Sequence, residues 1–136
     1  ARERDIDVQV TTRDRVDGYT TLVTLAVDTE SGTRTVSGTL VQDAAPRIVG
    51  IRGIRMDAEL GPRMLFIRNN DAPGLIGKLG SILGDARINI ANFHLGRDQA
   101  GGEAIAFLEV DQDVPTSVIE ALGAIPEVVQ VQAMHF

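Results

Sequence analysis

The stretch from Met64 to His94 constrains the fold of this chain more than any other segment. It begins with an apolar run at Met64, passes through a polar turn, and continues into a helix opened by Pro73 and Gly74 before a second apolar run. Proline is favoured at the first position of a helix, and a change from alternating to 3.6-residue hydrophobic spacing separates strands from helices. The stretch therefore predicts a β-α-β unit.

The remaining C-terminal sequence extends this unit into a complete fold. The predicted order is strand 64–69, helix 73–86, strand 88–96, strand 103–111, helix 115–124 and strand 128–135. Two such halves are typical of ferredoxin-like βαββαβ folds, in which both helices cover one face of a four-stranded antiparallel sheet. Apolar spacing predicts the buried positions of the helices and the drier face of the last strand: Leu75, Ile76, Leu79, Ile82, Leu83 and Ala86; Val118, Ile119, Leu122 and Ile125; Val129, Val131 and Ala133.

Residues 1–60 are predicted to be almost entirely β. Alternating residues at 6–10 form one strand, 19–28 and 33–41 form a hairpin around the turn 29–32, and 47–52 and 54–57 form two short strands around Gly53. Such a segment closes a core poorly, so it is expected to be half of a domain whose remainder lies upstream or in a partner chain. The break at 60–62 divides the α+β chain into 1–61, a mostly β partial domain, and 62–136.

Composition excludes several classes of function. The net charge is −6 and the 13 basic residues are dispersed, which disfavours nucleic-acid binding. The chain has no cysteine, no signal peptide and no apolar run that could span a bilayer, so we expect a cytoplasmic protein without a membrane partner. It begins at Ala1 rather than methionine, as a fragment or processed product does. The two histidines, His94 and His135, have no evident carboxylate partner, and we predict no metal site.

The sequence also shows no catalytic machinery. There is no nucleophile placed with a base, and Gly74, Gly77 and Gly80 match neither the dinucleotide fingerprint nor a phosphate loop. We therefore predict no catalytic residue and no cofactor in this chain. Glycine inside a helix costs about 1 kcal/mol relative to alanine, so Gly77, Gly80 and Gly84 predict a close approach to this helix. Another subunit, a ligand or tight packing within the domain would each account for it.

The turn before the first helix has the chemistry to hold a small zwitterion. Unpaired N–H groups at a helix N-terminus attract a carboxylate, and Asn69, Asn70 and Asp71 stand beside that end with acceptors suited to an ammonium group. This favours an amino-acid sensor. Spacing alone favours a simpler alternative, in which Asp71 caps the helix while Asn69 and Asn89 bond turn backbone.

Several motifs resemble known families. Asp71-Ala-Pro-Gly74 followed by Asn89-Ile-Ala-Asn92 resembles the ACT regulatory domains of amino-acid metabolism. With Leu95-Gly-Arg97, Gly101–Ile105, Leu108–Asp111, Gly38–Val41 and Pro46–Gly53, the whole chain is similar to the C-terminal regulatory region of the bacterial D-3-phosphoglycerate dehydrogenase family. Its first part is similar to the latter half of the intervening domain, and residues 64–136 are similar to the ACT domain.

The resemblance implies a feedback site for L-serine between two ACT domains paired side by side in a homo-oligomer. The implied contacts are Asn69, Asp71 and Asn89, with backbone around Ala72, Gly74, Leu75 and Ile76 holding the carboxylate. NAD and 3-phosphoglycerate would belong to upstream catalytic domains. The intervening domain implies an anion site, for which Arg47, at a position that is basic in relatives, and the nearby Arg52 and Arg55 are candidates. Solvated strand charges are the alternative for at least Arg52 and Arg55. Rival hypotheses are a serine-sensing region of iron–sulfur L-serine dehydratase and a dimerisation module without a ligand.

Overall fold

A computed structural model describes residues 21–30, 32–41 and 45–136. The elements in these ranges are β1 Val23–Thr29, β2 Gly32–Val41, β3 Ala45–Ile51, β4 Ile54–Glu59, β5 Arg63–Asn70, α1 Leu75–Asp85, β6 Ile90–Arg97, β7 Glu103–Val110, α2 Thr116–Gly123 and β8 Val128–His135. The strand predicted at 6–10 lies outside the described residues. Every other predicted strand and both helices are present, with ends that differ by a few residues.

The first sheet is an antiparallel meander in the order β1-β2-β3-β4. A two-residue turn joins β3 to β4, where Ile51 pairs with Ile54 across Arg52 and Gly53. Both turn residues have positive φ, 54° for Arg52 and 82° for Gly53, as two-residue hairpin turns require. The glycine at position 53 therefore marks the turn that the sequence predicts there.

The second sheet has the order β6-β7-β5-β8, and its strand pairs are antiparallel. α1 connects β5 to β6, and α2 connects β7 to β8. This is the ferredoxin-like βαββαβ arrangement, so the predicted fold is confirmed. The central strands β5 and β7 are apolar on both faces because each face of this sheet is covered.

The helices cover one face of the second sheet. Leu65 and Ile67 of β5 are fully buried there against Leu79 and Leu83 of α1 and Leu122 of α2. Val118 and Ile125 are also buried, and Ile82, Ile119, Val131 and Ala133 pack at the margin of the same cluster. These positions match the predicted apolar faces.

Three predicted core positions are wrong. Ile76 is 54% exposed although Leu75, Leu79 and Leu83 of α1 are buried, because Ile76 lies in the first turn of the helix, about 60° around the axis from the middle of the buried line. Ala86 is exposed just beyond the last turn of α1. Val129 is 51% exposed because a register shift in β8 leaves it without a partner on β5.

The first sheet covers the opposite face of the second sheet. Ile51 and Ile54 pack against Ile105 of β7, and Ala58 packs with Met64 and Phe107. Gly96 of β6 lies directly against the backbone of β4. The second sheet is therefore a middle layer between the two helices and the meander.

The described residues leave part of the meander uncovered. Val23, Leu25 and Val27 of β1 are each more than half exposed, and Leu40 of β2 is 51% exposed. Incomplete cover is what half of a domain would show. The assignment of residues 1–61 as a partial domain and the boundary at 61/62 stay predictions. Neither α1 nor α2, the helices in the described ranges, combines the length and hydrophobicity needed to cross a bilayer.

Candidate functional site

The residues proposed for the effector site lie at two opposite ends of the second sheet. Asn69 and Asp71 are at the end of β5, where Asn69 pairs with Ala104 at the start of β7. Asn89 immediately precedes β6, whose first residue Ile90 pairs with Val110 at the end of β7. An eight-residue strand is roughly 23 Å long. A single chain therefore does not bring Asn89 together with Asn69 and Asp71.

The N-terminus of α1 has no side-chain cap. Gly74 occupies the N-cap position with φ 87°, a left-handed conformation that favours glycine, and the first turn carries no acidic residue. The alternative in which Asp71 caps the helix is therefore wrong. Ala72, Gly74 and Leu75 offer backbone here, since the side chain of Leu75 is buried in the core. The positive end of the helix dipole is left without a side-chain anion.

Asp71 instead connects the turn before α1 to the β6–β7 hairpin. Its Oδ2 accepts a hydrogen bond from Arg97 Nη1 at 2.8 Å and another from the Gly101 N–H at 3.2 Å. Its own N–H donates to the Gly102 carbonyl at 2.8 Å. Arg97 of the same chain therefore occupies the carboxylate that was predicted to accept from an ammonium group. Arg97 was missed as a site residue by the sequence reasoning, although it ends the Leu-Gly-Arg motif beside a glycine-rich hairpin.

The ion pair makes the stability of this turn depend on pH. Hydrogen bonding from Arg97 and then from Gly101 holds the pKa of Asp71 below its ordinary value of 3.8. A carboxyl whose folded-state pKa is depressed stabilises the fold above its unfolded-state pKa, and this contribution disappears as pH falls through the lower folded-state value. The Tm of Arg97→Met should therefore lie below that of the wild type at pH 7, and the difference should shrink toward pH 3. Thermal unfolding of both proteins across this range measures it, and a difference independent of pH would contradict it.

Asn69 is a buried amide with one unpaired end. It lies on the helix-covered face of β5, is 1% exposed, and its Nδ2 donates to the Asn70 carbonyl at 3.1 Å. Its Oδ1 has no hydrogen-bond partner among the described residues. A buried acceptor left unpaired costs about 1–3 kcal/mol. The alternative that Asn69 bonds turn backbone is correct for the nitrogen and leaves the oxygen unexplained.

Asn89 is exposed and bonded to the turn after β7. Its Nδ2 donates to Asp111 Oδ2 at 2.6 Å, and its N–H donates to Gln112 Oε1 at 2.7 Å. The side chain therefore bonds a carboxylate, and the alternative in which it satisfies turn backbone is wrong. Asp111 ends one of the motifs that carry the resemblance, but neither Asp111 nor Gln112 was predicted as a site residue.

The glycines of α1 face open space. A Cβ atom added at Gly77, Gly80 or Gly84 would meet nothing within 4 Å among the described residues. Tight packing within the domain is therefore wrong as an explanation of this stripe. Close approach by a second subunit or a ligand stays a prediction.

The three arginines proposed for an anion site differ in their surroundings. Arg47 pairs with Asp57 at 2.7 Å and lies 4.0 Å from Glu59, which raises the pKa of its guanidinium. Arg52 lies 3.4 Å from Glu103, a carboxylate that it shares with Arg68 at 3.6 Å. Arg55 instead lines a cavity of about 480 Å³ on the meander, together with the hydroxyls of Thr24, Thr35 and Ser37.

The glycines after the first strand of the second sheet do not form a nucleotide-binding turn. Gly77 and Gly80 lie inside α1, whereas a dinucleotide fingerprint places its glycines in the turn between strand and helix. This geometry does not fit NAD. Within residues 21–30, 32–41 and 45–136, no three His, Asp or Glu side chains converge as metal ligands.

Comparison with known proteins identifies both parts of the chain. Residues 63–127 match the ACT domain family, and residues 1–52 match the D-3-phosphoglycerate dehydrogenase intervening domain. The chain joins an ACT domain to part of a D-3-phosphoglycerate dehydrogenase intervening domain. Its ACT domain and intervening-domain segment together mark it as the regulatory ACT region of such a protein.

Relatives named D-3-phosphoglycerate dehydrogenase match nearly the whole chain. The protein from Bacillus subtilis is 33% identical over 97% of this chain, and that from Mycobacterium tuberculosis is 34% identical over 91%. The protein from Methanocaldococcus jannaschii is 28% identical over 99%. The chain spans about a quarter of the length of these relatives, with 25%, 24% and 25% covered.

The two family matches divide the candidate residues between them. The ACT match contains Asn69, Asp71 and Asn89 and ends just before β8, the strand that completes the sheet beside β5. The intervening-domain match contains Arg47 and Arg52 and ends before Arg55. Residues 53–62 lie between the matches.

Proposed function

We propose that this chain is the regulatory region of a D-3-phosphoglycerate dehydrogenase and binds L-serine between two copies of its ACT domain. The observation that carries the proposal is the buried, unpaired Oδ1 of Asn69 beside the uncapped N-terminus of α1. A zwitterion requires acceptors for its ammonium group and donors for its carboxylate. This end of the ACT domain offers both within one turn of chain.

Each residue has a distinct role in the proposed site. The backbone N–H groups of Ala72, Gly74 and Ile76 bind the carboxylate of serine at the positive end of α1, because Pro73 has no N–H and that of Leu75 donates to the Ala72 carbonyl at 3.4 Å. Asn69 Oδ1 accepts a hydrogen bond from the ligand. Asp71, already bonded to Arg97, positions the β6–β7 hairpin beside the ligand and adds a second acceptor at the rim.

The separation of Asn89 from Asn69 supports a site shared by two chains. β6 is an edge strand of the second sheet, where it pairs with β7. When two identical edges pair about a twofold axis, they run antiparallel, so the start of one β6 lies opposite the end of the other. Asn89 of one copy then lies at the same end of the joined sheet as the partner's Asn69 and Asp71, which are two strands in from the partner's edge. The open glycine stripe on α1 leaves room for a second copy on this side.

The remaining partners follow from the relatives. We assign NAD, 3-phosphoglycerate and the catalytic domains to the part of the relatives' length that this chain does not span. The names of these relatives favour the dehydrogenase over an L-serine dehydratase. For an anion site on the meander, Arg55 is the candidate that we retain, because it lines a cavity with Thr24, Thr35 and Ser37, although it lies beyond the end of the intervening-domain match.

Titration calorimetry of the 136-residue chain with L-serine tests the proposal. We expect saturable binding of L-serine and weaker binding of glycine, L-alanine and D-serine, because each of these lacks the hydroxyl group or presents it differently. Light scattering after size exclusion should show at least a dimer. Absence of heat with all four amino acids would contradict serine binding and favour a dimerisation module. A monomer in saturating L-serine would contradict a site shared between two chains.

A further inference from the structure

We propose that Asp111 is a positioning residue of the serine site, which fixes the Asn89 side-chain amide with its Oδ1 directed away from Asp111 as an acceptor for the ammonium group of the effector. This inference rests on the proposed function and extends it to a residue that was not among the predicted contacts of the effector. It also gives the site a physical basis for selecting ligands with an ammonium group.

The orientation of the Asn89 amide follows from the chemistry of its partner. The nitrogen and oxygen of an asparagine amide are nearly the same size, so the group can turn over wherever its surroundings allow both orientations. A carboxylate only accepts hydrogen bonds. Asp111 Oδ2 lies 2.6 Å from the Asn89 amide, and this contact is possible only with Nδ2 facing the carboxylate.

Two further hydrogen bonds join the backbone of Asn89 to the turn after β7. The Asp111 N–H donates to the Asn89 carbonyl at 3.1 Å, and the Asn89 N–H donates to Gln112 Oε1 at 2.7 Å. The segment before β6 is therefore fixed to the turn after β7 at three points. With backbone and Nδ2 both occupied, Oδ1 is the part of Asn89 that remains available to a ligand.

The ligand needs this acceptor because Oδ2 of the nearby carboxylate, Asp71, already accepts hydrogen bonds from its own chain. Asp71 Oδ2 accepts from Arg97 and from Gly101, and its charge is compensated by the guanidinium. An ammonium group has three N–H donors to place. Asn69 Oδ1 and the partner's Asn89 Oδ1 supply two neutral acceptors on opposite sides of the site, and Asp111 keeps the second of them correctly oriented.

Asp111→Asn is the variant that tests this role. An amide at position 111 can donate or accept, so it permits both orientations of Asn89 and no longer holds Oδ1 as the acceptor. We expect the Kd for L-serine to rise by about tenfold, the effect of one hydrogen bond to a charged group. Glycine shares the ammonium group and should lose a similar factor, whereas a contact to the serine hydroxyl would leave glycine unaffected and would overturn the assignment.

Asp113→Asn is the matched control. Asp113 lies two residues further along the same turn and pairs with Arg63 at 2.6 Å, so this variant removes the same charge without changing a partner of Asn89. Its affinity for L-serine should equal that of the wild type. An equal loss in both variants would show a general effect of negative charge and overturn the positioning role.

A double-mutant cycle separates the inference from the proposed function. Asn89→Ala alone should weaken L-serine binding, and adding Asp111→Asn to it should cause no further loss, because Asp111 acts through Asn89. Additive losses, or an Asp111→Asn variant with wild-type affinity, would overturn the inference while leaving serine binding intact. A wild-type chain that binds no amino acid would remove the proposed function and the inference together. In NMR spectra, one Asn89 side-chain N–H should be shifted downfield in the wild type and not in Asp111→Asn.

Discussion

Replacement of Gly96 by valine should lower the free energy of unfolding by about 3 kcal/mol, the upper end of the usual cost of overpacking. A Cβ at this position would lie 2.6 Å from the carbonyl oxygen of Arg55 and 2.9 Å from Ile54 Cγ2. The first of these atoms belongs to backbone, which cannot turn aside as a side chain can. β4 would have to move away from β6, and the contact between the two sheets would open. Valine is itself favoured in strands, so the loss would come from packing alone.

Urea unfolding of Gly96→Val and the wild type measures this loss. Gly84→Ala is the matched control, because Gly84 lies inside α1 and its added Cβ would meet nothing within 4 Å. Alanine there should raise the free energy of unfolding by about 0.5–1 kcal/mol, the difference in helix propensity. A Gly96→Val protein as stable as the wild type would show that β4 and β6 are not in close contact.

Replacement of Asn69 by alanine should weaken L-serine binding by about 100-fold while changing the free energy of unfolding by no more than about 1 kcal/mol. The two effects separate because Oδ1 has no partner among the described residues. Its removal therefore costs no hydrogen bond in the part of the chain that the structure describes. Only the Nδ2 contact to the Asn70 carbonyl is lost, and the removed desolvation cost of the oxygen offsets it.

Calorimetry gives the affinity in this experiment and urea unfolding gives the stability. Asn70→Ala is the control, since it removes an exposed amide from the adjacent position of β5 and leaves the carbonyl that accepts from Asn69 in place. Wild-type affinity in Asn69→Ala would remove Asn69 from the proposed site. Equal losses in both variants would indicate a general disturbance of the turn.

The fold could be predicted from sequence because its signals are local. Alternating and helical hydrophobic spacing, with proline and glycine at the turns, place the strands and helices to within a few residues. The errors have tertiary causes. Val129 turns outward because of a register shift between β5 and β8, and strand alternation alone cannot reveal a shift in pairing. Ile76 was assigned to the core because the apolar stripe of α1 is broader than the face that the sheet covers.

The candidate site was only partly predictable for the same reason. The Asp71–Gly74 motif shows where a helix begins, and that position is correct. The partner of Asp71 is Arg97, 26 residues further along the chain, and only strand pairing brings the two together. The unpaired oxygen of Asn69 and the contact of Asn89 with Asp111 depend on three-dimensional geometry in the same way. Arg47 and Arg52 appeared available for an anion because their acidic partners come from other strands or turns.

The carboxylate of Glu103 forms an electrostatic contact between the two sheets. Arg52 in the meander and Arg68 in β5 both approach Oε1, at 3.4 and 3.6 Å, and neither forms a hydrogen bond of ordinary length. A small rotation of the Glu103 side chain would bring Oε1 closer to one arginine and move it away from the other. Glu103 also begins β7, directly after the turn whose Gly101 N–H donates to Asp71. A movement of that turn would therefore move Glu103 relative to Arg52, and so alter the electrostatic attraction between the second sheet and the meander.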